Sequence, residues 1–256
     1  MPGLTDLIGL LGSAAAIAAV LLGLPGIARL RRAHPGPLLL AALVAALVPI
    51  GALPAAGYVR GILGDLSVTT VLLLLRGLLR PVLGWAAIDA RSRLALQVLV
   101  AVSGLVLYPP ALGLGSFDPY RLGYANTWFI TGLLALAVAA GLLRLTLVTW
   151  CLALAVLAWA VGAYESHNLW DYLVDPLVAA WGLCALLLRG ALALRRPEGE
   201  ADEATGRRQR RERLASAGGA DARVGIPQSV FGGAGTGKPR LRMSASILAS
   251  RSRKAR

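Results

Sequence analysis

The sequence has 256 residues, of which 57% are hydrophobic and only 15% charged, with 26 Lys and Arg against 13 Asp and Glu. Soluble domains average roughly 45–50% apolar and about 25% charged residues, so this composition excludes an ordinary soluble globular protein. The charge is also unevenly distributed, because residues 195–256 hold 15 of the basic and 6 of the acidic side chains. We therefore predict a transmembrane helical domain, residues 1–196, followed by a basic, largely disordered cytoplasmic tail, residues 197–256.

The apolar runs of the first 194 residues predict a bundle of membrane-spanning helices. A helix needs about 20 apolar residues to cross ~30 Å of hydrocarbon. The first run lacks a basic segment before it and is longer than the core of a signal peptide, so we interpret it as an uncleaved span. The predicted spans are 6–28, 37–58, 62–82, 94–113, 125–143, 145–164 and 176–194.

The distribution of arginine, acids and tyrosine predicts the orientation of these seven spans. Lys and Arg collect in the cytoplasmic connections of membrane proteins, and Tyr and Trp collect at the interfaces. An arrangement with the N-terminus outside and the C-terminus inside leaves only Arg60 and Arg121 outside, together with most of the acids and all six tyrosines. Arg outnumbers Lys 24 to 2, which is typical of a GC-rich bacterial genome, so we predict an integral protein of the bacterial inner membrane. The inner arginines are Arg29, Arg31, Arg32, Arg80, Arg91, Arg93 and Arg144.

The third predicted span places charge inside the membrane. Asp65 and Arg76 are eleven positions apart, which is about 16 Å along a helix. One of the two must enter the hydrocarbon, at a cost of several kcal/mol unless it is paired or hydrated. Arg76 and Arg80 share a helix face and could bind an anion such as a phosphate or carboxylate group. The alternative is that Arg76 snorkels to the interface or pairs with an acid of another span.

Two predicted outer loops carry most of the remaining polar residues. The first, 116–126, contains Asp118 and Arg121, and the second, 165–176, contains Glu165, His167 and Asp171. Arg121 is the natural electrostatic partner of the acids in the second loop. If that loop were helical, its histidine and two of its aspartates would share a face, as an acid–base pair or a metal site requires.

A structural role explains part of the same pattern. Asp118 and Asp175 each precede a proline, which is typical of a residue that begins a helix. The outer loops contain one histidine only, so we predict no metal site and no cofactor. A shared surface for a partner or a lipid head group fits these loops better than catalysis does.

The tail contains a segment that resembles a phosphate-binding loop. Residues 232–238 match most of that pattern, but Pro239 stands where a magnesium-binding Ser or Thr is required. The tail also has a single aromatic residue, Phe231. We therefore predict no nucleotide and no nucleic acid as partners, and expect the basic tail to contact anionic lipid.

Two hypotheses for the function remain from the sequence. The first is a transport-related or accessory membrane component that binds a solute, a lipid or a partner subunit. The second is a membrane-embedded enzyme that acts on an envelope lipid or polymer at the outer face through Glu165, His167, Asp171 and Arg121. The first is favoured, because no pair of catalytic residues has a diagnostic spacing.

Overall fold

The computed structural model describes residues 3–114 and 117–194, and this part of the chain is almost entirely helical. Ser116 and the predicted tail with its phosphate-loop-like segment lie outside the described residues. The described part contains ten α-helices, one 3-10 helix and one short β-hairpin. The helices are α1 Leu4–Gly23, α2 Pro25–Ala33, α3 Pro35–Leu47, α4 Ala55–Leu63, α5 Val68–Leu83, α6 Ala90–Ala111, α7 Thr127–Leu142, α8 Thr146–Ala160, α9 Leu169–Leu173 and α10 Pro176–Leu194, with the 3-10 helix at Pro119–Gly123.

Three helices, α1, α6 and α10, are long and apolar enough to cross a membrane. Three more, α3, α7 and α8, are apolar but only 13 to 16 residues long. The helical class predicted from the sequence is therefore confirmed, and the three long apolar helices agree with the predicted membrane character. Seven crossings and the orientation stay predictions.

The second predicted span, 37–58, is not one continuous helix. Helix α3 ends at Leu47, and a hairpin follows in which β1, Pro49–Ile50, pairs with β2, Leu53–Pro54. A proline in a helix interior removes a backbone hydrogen bond and clashes with the preceding turn. The two prolines, with Gly51 at a φ of 77°, therefore divide the predicted span into α3 and the separate helix α4.

The third predicted span, 62–82, begins later in the structure than its apolar pattern predicted. Helix α5 starts at Val68, where Ser67 caps it by accepting a hydrogen bond from the backbone N–H of Thr70 at 3.2 Å. Asp65 therefore lies in the connection before the helix. The helix continues past Pro81 by two residues and ends with Gly84 in the left-handed conformation, as many helices do.

Glycines set the distance between the two long helices α6 and α10. A Cβ atom on Gly182 would lie 2.5 Å from Val100 Cγ2 and 2.8 Å from the carbonyl oxygen of Gln97. A Cβ atom on Gly104 would lie 2.6 Å from that of Ala179. Small residues let helix backbones approach closely in apolar surroundings, so α10 packs along the length of α6.

The remaining helices pack in two groups. Helix α1 contacts α3, α4 and α5, and α8 contacts α5, α6, α7 and α9. The turn between α7 and α8 holds Arg144 at a φ of 58°, at the single position between the predicted spans 125–143 and 145–164. The largest core lies between α6, α8, α9 and α10, and the residues around α9 form the wall of the cavity described next.

Candidate functional site

Two segments far apart in sequence, the 3-10 helix Pro119–Gly123 and α9, are held together by buried side chains. The amide of Asn168 accepts from the backbone N–H of Trp170 at 3.0 Å, and so caps α9. The same amide donates to the carbonyl oxygen of Tyr120 at 2.9 Å, and the indole N–H of Trp170 donates to that of Pro119 at 3.0 Å. A Cβ atom on Gly123 would overlap the Asn168 amide, so only glycine allows this approach. These bonds fix the 3-10 helix against α9.

Asp171 is the carboxylate at the centre of this arrangement. The hydroxyl of Tyr120 lies 3.0 and 2.9 Å from its two oxygens and donates its proton to them. The hydroxyl of Ser166 donates to the same carboxylate and also accepts from the backbone N–H of Asn168 at 3.0 Å. All of these donors are neutral, and within the described residues no Arg, Lys or His forms an ion pair with Asp171. Its negative charge is therefore not compensated locally.

Asp175 is a buried carboxylate with a structural role. One oxygen accepts from the backbone N–H of Val178 at 2.8 Å, which confirms the predicted cap at the start of α10. The other accepts from the backbone N–H of Ser67, also at 2.8 Å, at the start of α5. A single carboxylate thus ties together the first turns of two helices that are 108 positions apart.

The third carboxylate, Asp65, is paired with an arginine. Arg60 donates to Asp65 Oδ1 at 2.6 Å through Nε and to Asp6 Oδ1 at 2.9 Å through an Nη atom. These hydrogen bonds, that to Asp65 foremost, raise the pKa of Arg60 above its already high ordinary value. A Cβ atom on Gly9 would overlap both Arg60 and Asp65, so the ion pair rests directly on the backbone of α1. The acid of the third predicted span, Asp65, is thus ion-paired in the structure.

The three carboxylates line one cavity of about 350 Å³, which we call the tyrosine–aspartate pocket. Its volume is at the lower end of the range for small-molecule sites, roughly 300–1,000 Å³. Among the described residues, no basic side chain is part of the wall. The polar wall consists of Asp65, Asp171, Asp175, Ser166 and three tyrosines, Tyr108, Tyr120 and Tyr164.

The tyrosines provide aromatic surface and fixed donors. Burial raises the pKa of Tyr120, and the neighbouring Asp171 carboxylate raises it further. The phenol therefore stays protonated at neutral pH and remains a donor to Asp171. Tyr164 stacks on Tyr172 with ring centroids 4.9 Å apart, and the Tyr172 hydroxyl accepts from the backbone N–H of Tyr164 at 3.1 Å. This wall is therefore rigid.

A pocket of this kind suits a cation. Aromatic rings attract cations through their negative faces, and a carboxylate in a partly desolvated site adds a charge-assisted hydrogen bond. A compact inorganic ion would need several ligands converging on one point. Within residues 3–114 and 117–194, no group of three Asp, Glu, His or Cys side chains is arranged to hold a metal ion. The surface therefore matches an organic ammonium group better.

Of the five candidate functional residues in the two loops, Asp118, Arg121, Glu165, His167 and Asp171, only Asp171 lines this pocket. Glu165, His167 and Arg121 are exposed, and Asp118 caps the 3-10 helix by accepting from the backbone N–H of Tyr120 at 3.0 Å. His167 precedes α9 and Asp175 follows it, so the two do not share a helix face with Asp171. Arg121 was predicted to pair with the acids of the second loop, but it forms no ion pair within the described residues. Tyr120, not Arg121, lies beside Asp171.

Arg76 and Arg80 lie on a different part of the molecule, near the end of α5. Arg76 donates to the carbonyl oxygen of Ala86 at 3.0 Å, and its guanidinium carbon lies 5.8 Å from the centre of the Trp85 ring. Arg80 donates to the carbonyl oxygen of Trp85 at 3.4 Å. The two arginines, which were predicted to share a helix face, thus both contact the connection between α5 and α6.

Sequence reasoning did not single out Tyr120, Ser166 and Tyr164 as site residues. The sequence indicated only that the two tyrosines lie at one membrane interface, where aromatic residues commonly anchor membrane proteins. It gave no indication for Ser166. No protein-family model, no curated protein and no solved structure matches the chain.

Proposed function

We propose that this chain is a seven-span protein of the bacterial inner membrane that binds an organic ammonium group in the tyrosine–aspartate pocket. The ligand would be a solute, a lipid head group or a segment of a partner subunit, so the protein would be a transport-related or accessory component. The observation that carries the proposal is the uncompensated Asp171 carboxylate in a cavity whose wall has no basic side chain.

Seven crossings are supported by the helices that occur in the predicted spans. Each of those spans overlaps one of α1, α3, α5, α6, α7, α8 and α10. The shortest, α3, has 13 residues, or about 20 Å, and short helices are accommodated when the bilayer thins or flanking residues snorkel. The distribution of Arg between the connections supports the N-terminus outside, which puts the pocket at the outer face.

The charge near the pocket supports a cationic ligand. Asp6, Asp65, Asp171 and Asp175 carry four negative charges, and the one arginine that pairs with any of them in the described residues is Arg60. A net negative cleft with low-dielectric walls raises the local concentration of cations. The same field would repel phosphate and carboxylate groups.

The enzymatic alternative has less support from the geometry. It requires Glu165, His167 and Arg121 to act beside Asp171, and these three side chains are exposed outside the cavity wall. Acid–base catalysis needs both groups within hydrogen-bond reach of the same reacting atoms. We therefore retain binding as the proposed function.

The proposal is tested by thermal unfolding of the purified protein in mild detergent with tetramethylammonium or ethylammonium chloride. Sodium chloride at the same ionic strength is the reference. A ligand that binds only the folded state stabilises it by about 2.7 kcal/mol at 100 times its Kd. We expect the organic ammonium salts to raise the Tm above the sodium reference.

Two variants decide whether the pocket is responsible. Asp171→Asn keeps the acceptor for Tyr120 but removes the charge, so the ammonium-dependent rise should disappear. Asp118→Asn removes an exposed acid that does not line the cavity, and the rise should remain. Equal Tm values in sodium and ammonium salts, or an undiminished rise in Asp171→Asn, would refute the proposal.

A further inference from the structure

A second cavity, of about 590 Å³, lies between α5 and α8 and is unrelated to the tyrosine–aspartate pocket. Its wall is apolar over most of its length, with leucines and valines of both helices. Several of its side chains face outward, such as Trp150, which is 60% exposed, and Leu75, which is 44% exposed. The cavity is thus a groove on the side of the helical domain, where the neighbours of a membrane protein are lipids.

The groove has the length of one acyl-chain layer. On α5 its wall runs from Val68 to Leu79, eleven positions, and on α8 from Thr146 to Leu154, eight positions. Eight to eleven residues of helix extend about 12–16 Å, and half of the ~30 Å hydrocarbon core is ~15 Å. The end of the groove at Arg76, Leu79 and Thr146 is its interfacial end, because Thr146 begins α8 and Leu79 lies near the C-terminal end of α5.

Two opposite charges lie at the interfacial end of the groove. Arg76 and Asp89 both belong to its wall, yet they form no ion pair with each other or with any other described residue. One N–H of Arg76 donates to Ala86, which leaves other donors of the guanidinium fork for a ligand. One oxygen of Asp89 accepts from the backbone N–H of Ser92 at 2.7 Å, which lowers the pKa of the carboxyl group and keeps it charged.

We propose that this groove binds an aminophospholipid of the inner leaflet. The lipid phosphate would accept hydrogen bonds from Arg76, its primary ammonium group would donate to Asp89, and one acyl chain would lie between α5 and α8. Two unpaired charges of opposite sign match a head group that carries both signs. A purely anionic head group would leave Asp89 beside a second negative charge, and like charges placed side by side cost free energy.

The aromatic residues at the same end agree with this assignment. Trp85 lies under the Arg76 guanidinium, 5.8 Å from its carbon to the ring centre, and Trp150 lines the wall from α8. Indole rings prefer the depth of the lipid head groups and carbonyls. They would enclose the glycerol region of a lipid whose chain enters the groove.

The test is native mass spectrometry of the purified full-length protein, titrated with phosphatidylethanolamine, phosphatidylglycerol or phosphatidylcholine of identical acyl chains. We expect phosphatidylethanolamine to bind at least about tenfold more tightly than the other two, since each charge-assisted hydrogen bond to the head group is worth roughly that factor or more. Glycerophosphoethanolamine, which has the head group without chains, should not bind detectably. Equal affinities for the three lipids would overturn the proposal, as would tight binding of the chain-free head group.

Variants separate the two charges from general folding effects. Asn caps helices about as well as Asp, so Asp89→Asn should leave the start of α6 intact. It should abolish the preference for phosphatidylethanolamine over phosphatidylcholine. Arg76→Gln keeps a donor for the carbonyl oxygen of Ala86. It should weaken the binding of all three lipids by about tenfold. Arg93→Gln removes an arginine outside the groove wall. It should change neither the preference among the lipids nor their affinities. A preference that survives Asp89→Asn would show that Asp89 does not contact the ammonium group.

Discussion

The hydroxyl of Tyr120 lies within 3.0 Å of both carboxylate oxygens of Asp171, although the two residues are 51 positions apart in the sequence. This pair joins the 3-10 helix to α9 and also supplies the only carboxylate of the pocket whose hydrogen-bond donors are all neutral side chains. Its consequences for stability and for ligand binding can be tested separately.

Tyr120→Phe should lower the free energy of unfolding by about 1.5–3 kcal/mol, because it removes a hydrogen bond to a charged group. Unfolding by sodium dodecyl sulfate, followed by circular dichroism, measures the change. Tyr124→Phe is the matched control, since Tyr124 is in the same segment and is 57% exposed. Equal stability of the two variants would mean that the Tyr120–Asp171 hydrogen bond contributes nothing.

Gly182→Ala should separate α6 from α10 and destabilise the protein by about 1–3 kcal/mol, the usual cost of overpacking. The added Cβ would meet Val100 and the backbone of Gln97 at 2.5 and 2.8 Å. Gly190→Ala, on the same helix, meets no atom within 4 Å and should be neutral or slightly stabilising. The same detergent unfolding assay compares them, and an unchanged Gly182→Ala would contradict the close packing.

Arg60→Met should destabilise the domain by about 1.5–3 kcal/mol, because it leaves the half-buried Asp65 without its charged donor. Arg121→Met, which removes an exposed arginine, should have little effect. The same detergent unfolding assay measures both variants. A deficit in Arg60→Met no larger than that in Arg121→Met would show that the ion pair contributes nothing to stability.

Reporter fusions measure the proposed topology. A reporter that is active only in the cytoplasm should be active after residues 34, 90, 144 and 200, and inactive after residues 124 and 166. The physical reason is the retention of Arg-rich connections on the cytoplasmic side. Cytoplasmic activity after residue 166 would place the tyrosine–aspartate pocket on the inner side and would contradict the seven-span arrangement.

The sequence alone predicted the helical class and the membrane character, because both follow from local properties. Long apolar runs must form helices in lipid to satisfy their own backbone hydrogen bonds. The cap at Asp175 and the turn at Arg144 were also predictable, since each depends on a few neighbouring residues. Pro49 and Pro54 indicate the break in the predicted span 37–58. The prediction missed it because the span was assigned from the length of its apolar run alone.

The tertiary structure alone decided which polar residues share a cavity. His167 and Asp171 are close in sequence, yet only Asp171 lines the pocket, and its partner Tyr120 comes from another loop. Likewise, no local pattern distinguishes Gly182, where an added Cβ would meet α6, from Gly190, where it would meet no described atom within 4 Å. Local sequence fixes backbone hydrogen bonding and the exposure of a segment to lipid, whereas the grouping of side chains depends on how distant helices pack against each other.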